Sequence, residues 1–167
     1  MRIDYINNFL KVFTVFSFLS FSVGVCSTGS LNKLVINEAI KIIFSATESC
    51  DYKTATQYYY SGTKIYSYTD GKLDTSDTWP DISNVVKKMF ERCDIKYLSN
   101  DIIKTEVEFL ENMKVASHIS EYKRVSEIGG SRQYGSHVVE TTKFGVVDGK
   151  LVILESHSNF IKFERIK

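Results

Sequence analysis

The side chains of this chain able to exchange a proton near neutral pH are three histidines, His118, His137 and His157, and the carboxylates around them, among which Glu140 stands in the same β-rich region. An imidazole held by a carboxylate titrates near neutrality and can act as acid or base. His118 and Glu140 would make such a pair if neighbouring strands bring them together. A hydrogen-bonded structural pair, or a salt bridge from Glu140 to a Lys or Arg, is the plainer alternative. The histidines lack metal-ligand spacing, and there is no serine nucleophile elbow, glycine-rich phosphate loop or cysteine-rich cluster. No metal and no cofactor is therefore expected.

The whole chain carries 21 basic and 20 acidic residues. That balance gives no electrostatic footprint for nucleic acid, and the pairs Lys87-Lys88 and Lys123-Arg124 read as solvated surface. The chain opens with a basic start holding Arg2 and Lys11, an uncharged apolar run from Val12 to Val25, and the small residues Ser27, Thr28 and Gly29. This order is that of a secretory signal peptide, and the run is shorter than the roughly 18 residues a membrane span needs. Residues 1–27 are expected to be removed and residues 28–167 to form a single domain, periplasmic or secreted, with no stable membrane span after processing. A retained anchor and a lipidated Cys26 are the alternatives. In an exported protein the remaining pair, Cys50 and Cys93, invites a disulfide, against two separate free thiols.

The elements that must position these residues are legible in the patterning. Leu31 to Ser49 carries apolar residues at helical spacing, including Leu34, Val35, Ile36, Ala39, Ile40, Ile43 and Ala46. Asp51 precedes a second, short helix as its N-cap, and Tyr58-Tyr59-Tyr60 reads as a helix end with aromatic core contacts. Thr63 to Tyr68 is a short strand ended by Asp70-Gly71, and polar Lys72 to Asp77 reads as a loop. Pro80 or Asp81 opens a third helix through Phe90. Beyond Cys93 the pattern turns to β over 95–98, 102–109, 115–125, 134–147 and 151–163, with turns at Glu111-Asn112, Gly129-Gly130 and Asp148-Gly149. Asp-Gly between β-rich runs predicts a type I′ hairpin. Helices first and antiparallel strands later predict an α+β fold with helices on one face of a sheet.

Several points in order resemble the nuclear transport factor 2-like superfamily. Cys50-Asp51-Tyr52 stands where many members join their first helices by Gly-Asp-aromatic, Gly62-Thr63-Lys64-Ile65 resembles the first strand, and Val115-Ala116 an alanine-bearing strand. The strongest match is Glu140-Thr141, Phe144 and Asp148-Gly149-Lys150, followed by His157-Ser158. Leu151 departs from a usual Trp. The chain is especially similar to SnoaL-like proteins and to the association domain of calcium/calmodulin-dependent kinase. The resemblance implies helices packed on a strongly curved antiparallel sheet, a cone with a central cavity. It further implies that even-numbered strand residues point into the cone: Ala116, His118, Ser120 and Tyr122; Glu140, Thr142 and Phe144; Leu154, Ser156, Ser158 and Phe160. His118, Ser120, Tyr122, Glu140, Thr142, Ser156 and Ser158, with a hydroxyl from Tyr59 and with Trp79 near the mouth, are the expected pocket; core packing is the alternative for Tyr59 and Trp79. The arginines that line the kinase association domain's pocket have Tyr122, Thr142 and Ser158 at the matching positions.

This fold hosts many functions. The leading expectation is an exported module binding a small ligand or a protein, without catalysis. The alternatives are a small isomerase, dehydratase or lyase acting on an apolar ligand, with His118 and Glu140 as its candidate catalytic pair, and an oligomerisation or immunity-type interaction protein. Apolar residues on the odd-numbered set, Val115, Ile119, Val139, Leu151 and Ile153, suggest a homodimer through the outer face.

Overall fold

A computed structural model describes residues 31–93, 95–110 and 114–167. The expected signal peptide and the Glu111-Asn112 turn lie outside the described residues. Helix α1 spans Lys33–Glu48, with the Asn32 side chain accepting from the Val35 N–H at 3.0 Å. It buries Ile36, Ala39, Ile40, Ile43 and Phe44 at helical spacing, whereas Leu34 and Val35 are exposed. A second helix, α2 (Tyr52–Ala55), starts under Asp51, whose carboxylate accepts from the Thr54 N–H at 3.2 Å.

Strand β1 runs Tyr59–Thr69 and pairs with β2, Lys72–Thr78. Tyr59 and Tyr60 thus begin a strand rather than end a helix, and the segment read as a loop is an edge strand. Its polarity follows from its place: it closes one side of the sheet, and most of its side chains are exposed. Asp70 and Gly71 both have positive φ, and the turn is held to the last strand by Asp70 N–H to the Phe160 carbonyl at 2.9 Å and Gly71 N–H to Asn159 Oδ1 at 3.0 Å. Helix α3 spans Trp79–Arg92, with Pro80 in its first turn and both the hydroxyl and the N–H of Thr78 donating to Asp81 Oδ2. Then follow β3 (Ile95–Leu110), β4 (Val115–Ile128), β5 (Arg132–Val147) and β6 (Lys150–Arg165). The two β runs expected before residue 110 are one strand, irregular near Leu98 and Ile103.

The six strands lie in the order β2-β1-β6-β5-β4-β3, antiparallel except where β1 runs parallel to β6. The sheet is curled and unclosed. Helix α1 covers one end of its concave face, in a core of Ile36, Ile40, Ile43, Phe44, Ala116, Phe144 and Ile153. Ala46, near the end of α1, joins Ala55 of α2 and Val86, Met89 and Phe90 of α3 in a second cluster, beside which Cys50 and Cys93 are joined by a disulfide with Cα atoms 5.7 Å apart. Both cysteines sit in left-handed backbone at helix ends, a conformation that more often falls to glycine.

The even-numbered rule for inward residues fails at one point on β6. Lys143 pairs with Glu155 but Phe144 pairs with Ile153, so Leu154 is an extra residue in a bulge. Inward pointing passes to Ile153, which is 1% exposed in the α1 core, and Leu154 instead lies against Gly145, where an added Cβ would stand 2.7 Å from its Cδ1. Ile153 is therefore no part of an outer face.

Candidate functional site

Pairing partners across a strand ladder share a face, so the register writes out the concave surface row by row. Nearest α1 comes Phe109, Ala116, Phe144 and Ile153. Next is Val107, His118, Thr142, Ser156 and Ile65. The third row is Thr105, Ser120, Glu140, Ser158 and Ser67, polar from end to end. The fourth is Ile102, Tyr122, Val138, Phe160 and Thr69, and the fifth Asn100, Arg124, Ser136 and Phe163. A polar band thus lies between two apolar layers. His118, Ser120, Tyr122, Glu140, Thr142, Ser156 and Ser158 are all buried on this concave face.

Glu140 is the centre of the band. It is 3% exposed; its Oε2 accepts from the Tyr122 hydroxyl at 3.0 Å, while Oε1 has no hydrogen-bond partner. Burial pushes its carboxyl up to about 8, against the opposing pull of the Arg124 charge and the Tyr122 hydrogen bond. At neutral pH the group is mainly the neutral acid. Ser67, in the same row and 2% exposed, also keeps a hydroxyl without a partner. A buried polar atom left unpaired costs roughly 1–3 kcal/mol, so this row carries hydrogen-bonding capacity that the protein does not consume.

His118 and Glu140 face the same interior but do not bond to each other. His118 Nε2 lies 3.1 Å from the Thr105 hydroxyl, and burial lowers its pKa to about 4, so the imidazole is neutral. Burial, then the nearby Glu140, raise the pKa of the Tyr59 hydroxyl, against an opposing pull from Ser156; its ring stacks on Trp79 with centroids 4.4 Å apart. Trp79 itself packs against the helical cluster around Ala55 and Phe90.

The sequence reading missed Arg124. Taken with Lys123 as solvated surface, it is instead 1% exposed, its guanidinium carbon 4.3 Å from the Tyr97 ring centroid and 4.4 Å from that of Tyr122. Lys123 is exposed, as expected. Continuing the even-numbered alternation one step past Tyr122 would have placed Arg124 inside. Tyr97 and Asn100 were missed as well, because β3 was read in two pieces. Asn100 stands opposite Arg124, and both polar atoms of its amide are buried without a hydrogen-bond partner. Among the described residues no cluster of His, Cys, Asp or Glu could hold a metal ion, and no helix is long and apolar enough to cross a membrane.

The outer face differs. His157 stacks on Tyr66, sits 3.3 Å from the Tyr68 hydroxyl and 3.1 Å from Glu155, which also pairs with Lys143 at 2.8 Å; His137 pairs with Glu121 at 2.8 Å.

Neither a sequence-family model nor a curated protein sequence matches this chain. The fold, by contrast, is that of the nuclear transport factor 2-like superfamily. An NTF2-like protein from Cytophaga hutchinsonii superposes over 78% of this chain and 100% of its own, with a TM-score of 0.58 at 9% identity. The beta subunit of the benzoate 1,2-dioxygenase from Burkholderia mallei does so over 80% of this chain and 93% of its own (TM-score 0.63, 10% identity). The hexachlorocyclohexane dehydrochlorinase LinA-type3 from Novosphingobium barchaimii covers 80% and 92% (TM-score 0.58, 11% identity). Proteins of unknown function and enzymes alike share this cone, and at such identities the likeness defines architecture and not chemistry.

Proposed function

We propose that this protein is an exported module that binds a small molecule inside the cone, and that it does so without catalysis. The observation that carries this reading is the third concave row, where Glu140 Oε1 and Ser67 Oγ are buried with no protein partner. A ligand that supplies partners there recovers the cost of their burial. Binding is favoured over acid and base chemistry because Glu140 is bonded to Tyr122 and His118 to Thr105, so His118 and Glu140 do not pair with each other. Export rests on the order of residues in 1–27, and a homodimer through the outer face rests on its half-buried Ile119 and Val139.

Native mass spectrometry of protein recovered from its own cells tests the reading. A small-molecule adduct is expected, reduced in Ser67→Ala and in Glu140→Ala while both variants retain their folded charge-state distribution. Adduct-free protein, with Oε1 and the Ser67 hydroxyl contributing nothing to any added ligand, would contradict it. Intact mass of the same material is expected to begin near Thr28, and its oligomer is expected to be a dimer.

A further inference from the structure

We infer that the free edge of β3 pairs with the same edge of a second copy of this chain, antiparallel and centred on Ile102, so that the two sheets continue as one. The contact goes beyond the reading of the cone as a ligand site and does not depend on it.

The two edges of the sheet differ. At one side β2 has seven residues and carries Lys72, Asp74 and Asp77, short and charged as a guarded edge usually is. At the other side β3 has 16 residues and no proline. Residues 101–105, at its middle, are all exposed. Leu98, Ile102 and Ile103 are 42%, 41% and 51% exposed on a strand that has no neighbour in the sheet on that side. Leu98 and Ile103 are the extra residues of its two irregularities, so the alternation stays in step with β4 across both, and the β4 partner of each residue gives its face.

That alternation restricts how two copies can pair. Antiparallel pairing about a two-fold axis must set outward residues against outward ones, and each contact then occurs twice. With the axis at Ile102, Asp101 of each copy stands opposite Lys104 of the other, and Lys96 stands opposite Glu108. Lys104 keeps its bond to Glu106 of its own strand at 2.7 Å, and Asp101 brings it a second carboxylate. On the concave side the same register sets Tyr97 against Val107 and Ile95 against Phe109, apolar against apolar. The next permitted register in one direction sets Lys104 on Lys104, and in the other Asp101 on Asp101. Opposite charges across a strand pair stabilise it and like charges destabilise it. One register is therefore selected.

Asn100 supplies an independent observation. Both polar atoms of its amide are buried without a hydrogen-bond partner. In this register the residue opposite is Thr105 of the second copy, whose hydroxyl both donates and accepts. Pairing thus brings a partner to a group that the single chain leaves unsatisfied.

Introduced thiols and a charge swap test the contact and its register together. Ile102→Cys is expected to form a disulfide-linked dimer on oxidation, seen by non-reducing electrophoresis. Asp101→Cys mixed with Lys104→Cys is expected to link the two variants, while neither links to itself. Successive pairs across an antiparallel ladder alternate between wide and close spacing, so one of these two tests falls on a close pair. In sedimentation equilibrium, Asp101→Lys is expected to weaken association at least about tenfold, and Asp101→Lys with Lys104→Asp in the same chain to restore it. All three positions are exposed, so the melting temperature of the monomer is expected to hold. A dimer made by the outer face alone would give no cross-link in either thiol test and an unchanged mass in Asp101→Lys, and that result would overturn the inference. A wild-type monomer at the highest soluble concentration, or a charge swap that fails to restore association, would overturn it too. None of these results bears on an adduct in the cone, so the ligand reading stands or falls separately.

Discussion

The two faces of the sheet dispose of their polar groups in opposite ways. On the outer face, Tyr68, His157, Glu155 and Lys143 form a connected set, His137 meets Glu121, and all of them retain contact with water. On the concave face the polar groups are more deeply buried, yet Glu140 Oε1, the Ser67 hydroxyl and the Asn100 amide have no hydrogen-bond partner. A stability argument alone predicts the reverse, since unpaired groups cost least where water reaches them. The difference is the one expected if the concave face receives a ligand.

The contrast can be broken most forcefully at neighbouring residues. Phe160 is fully buried on the concave side, and Phe160→Ala is expected to cost about 3–5 kcal/mol by cavity formation. Its exposed neighbour Ile161 should lose no more than about 1 kcal/mol on substitution by Ala. Urea titration of both variants measures the gap, and equal losses would erase the distinction between the faces. The hydroxyls give a second, smaller pair. Tyr122→Phe strips Glu140 Oε2 of its donor and is expected to cost about 1–3 kcal/mol, whereas Tyr68→Phe, acting at a half-exposed contact, should cost under about 1 kcal/mol.

The pH dependence of stability sharpens the same comparison. Glu140 has a raised pKa in the folded protein, so its contribution is complete below 4.5 and is lost as pH rises to about 8. His118 has a lowered one, so its contribution is complete above 6.5 and is lost as pH falls to about 4. Between those opposing windows, from 6.5 to 8, Glu140 acts alone, and stability should decline by up to about 1.4 kcal/mol per pH unit. Glu140→Gln is expected to flatten that decline; an unchanged slope would place the titrating group elsewhere. Smallest of all is the outer ion pair: Lys143→Ala should change the unfolding free energy by about 0–1 kcal/mol, less in high salt.

What could be read in advance followed local chemistry. Asp148 and Gly149 adopt the two positive φ values that their type predicts, and Asp51 caps its helix as its place predicts. The same Asp-Gly signal at Asp70-Gly71 also makes a hairpin, but the strand after it is a polar edge strand, and period-two hydrophobic alternation is absent where only one side meets a neighbour. The pocket residues from Ala116 to Tyr122 follow strict alternation and were legible once a strand was assumed. Leu154 and Ile153 were not, because a bulge of one residue reverses the facing of what precedes it and leaves no mark in composition. Arg124 was obscured by its type: a buried arginine is uncommon, and the two tyrosine rings that hold it come from the strand itself and from β3, far apart in sequence.

On the proposed function, the concave row receives a molecule that is not part of the chain. A crystal structure of protein purified from its own cells tests this most directly, at the oxygen of Glu140 that has no partner. Density too large for water is expected there, with an atom within about 3 Å of Oε1. Oε1 hydrogen-bonded to a side chain of the protein itself, with the Ser67 hydroxyl likewise satisfied from within, would contradict it.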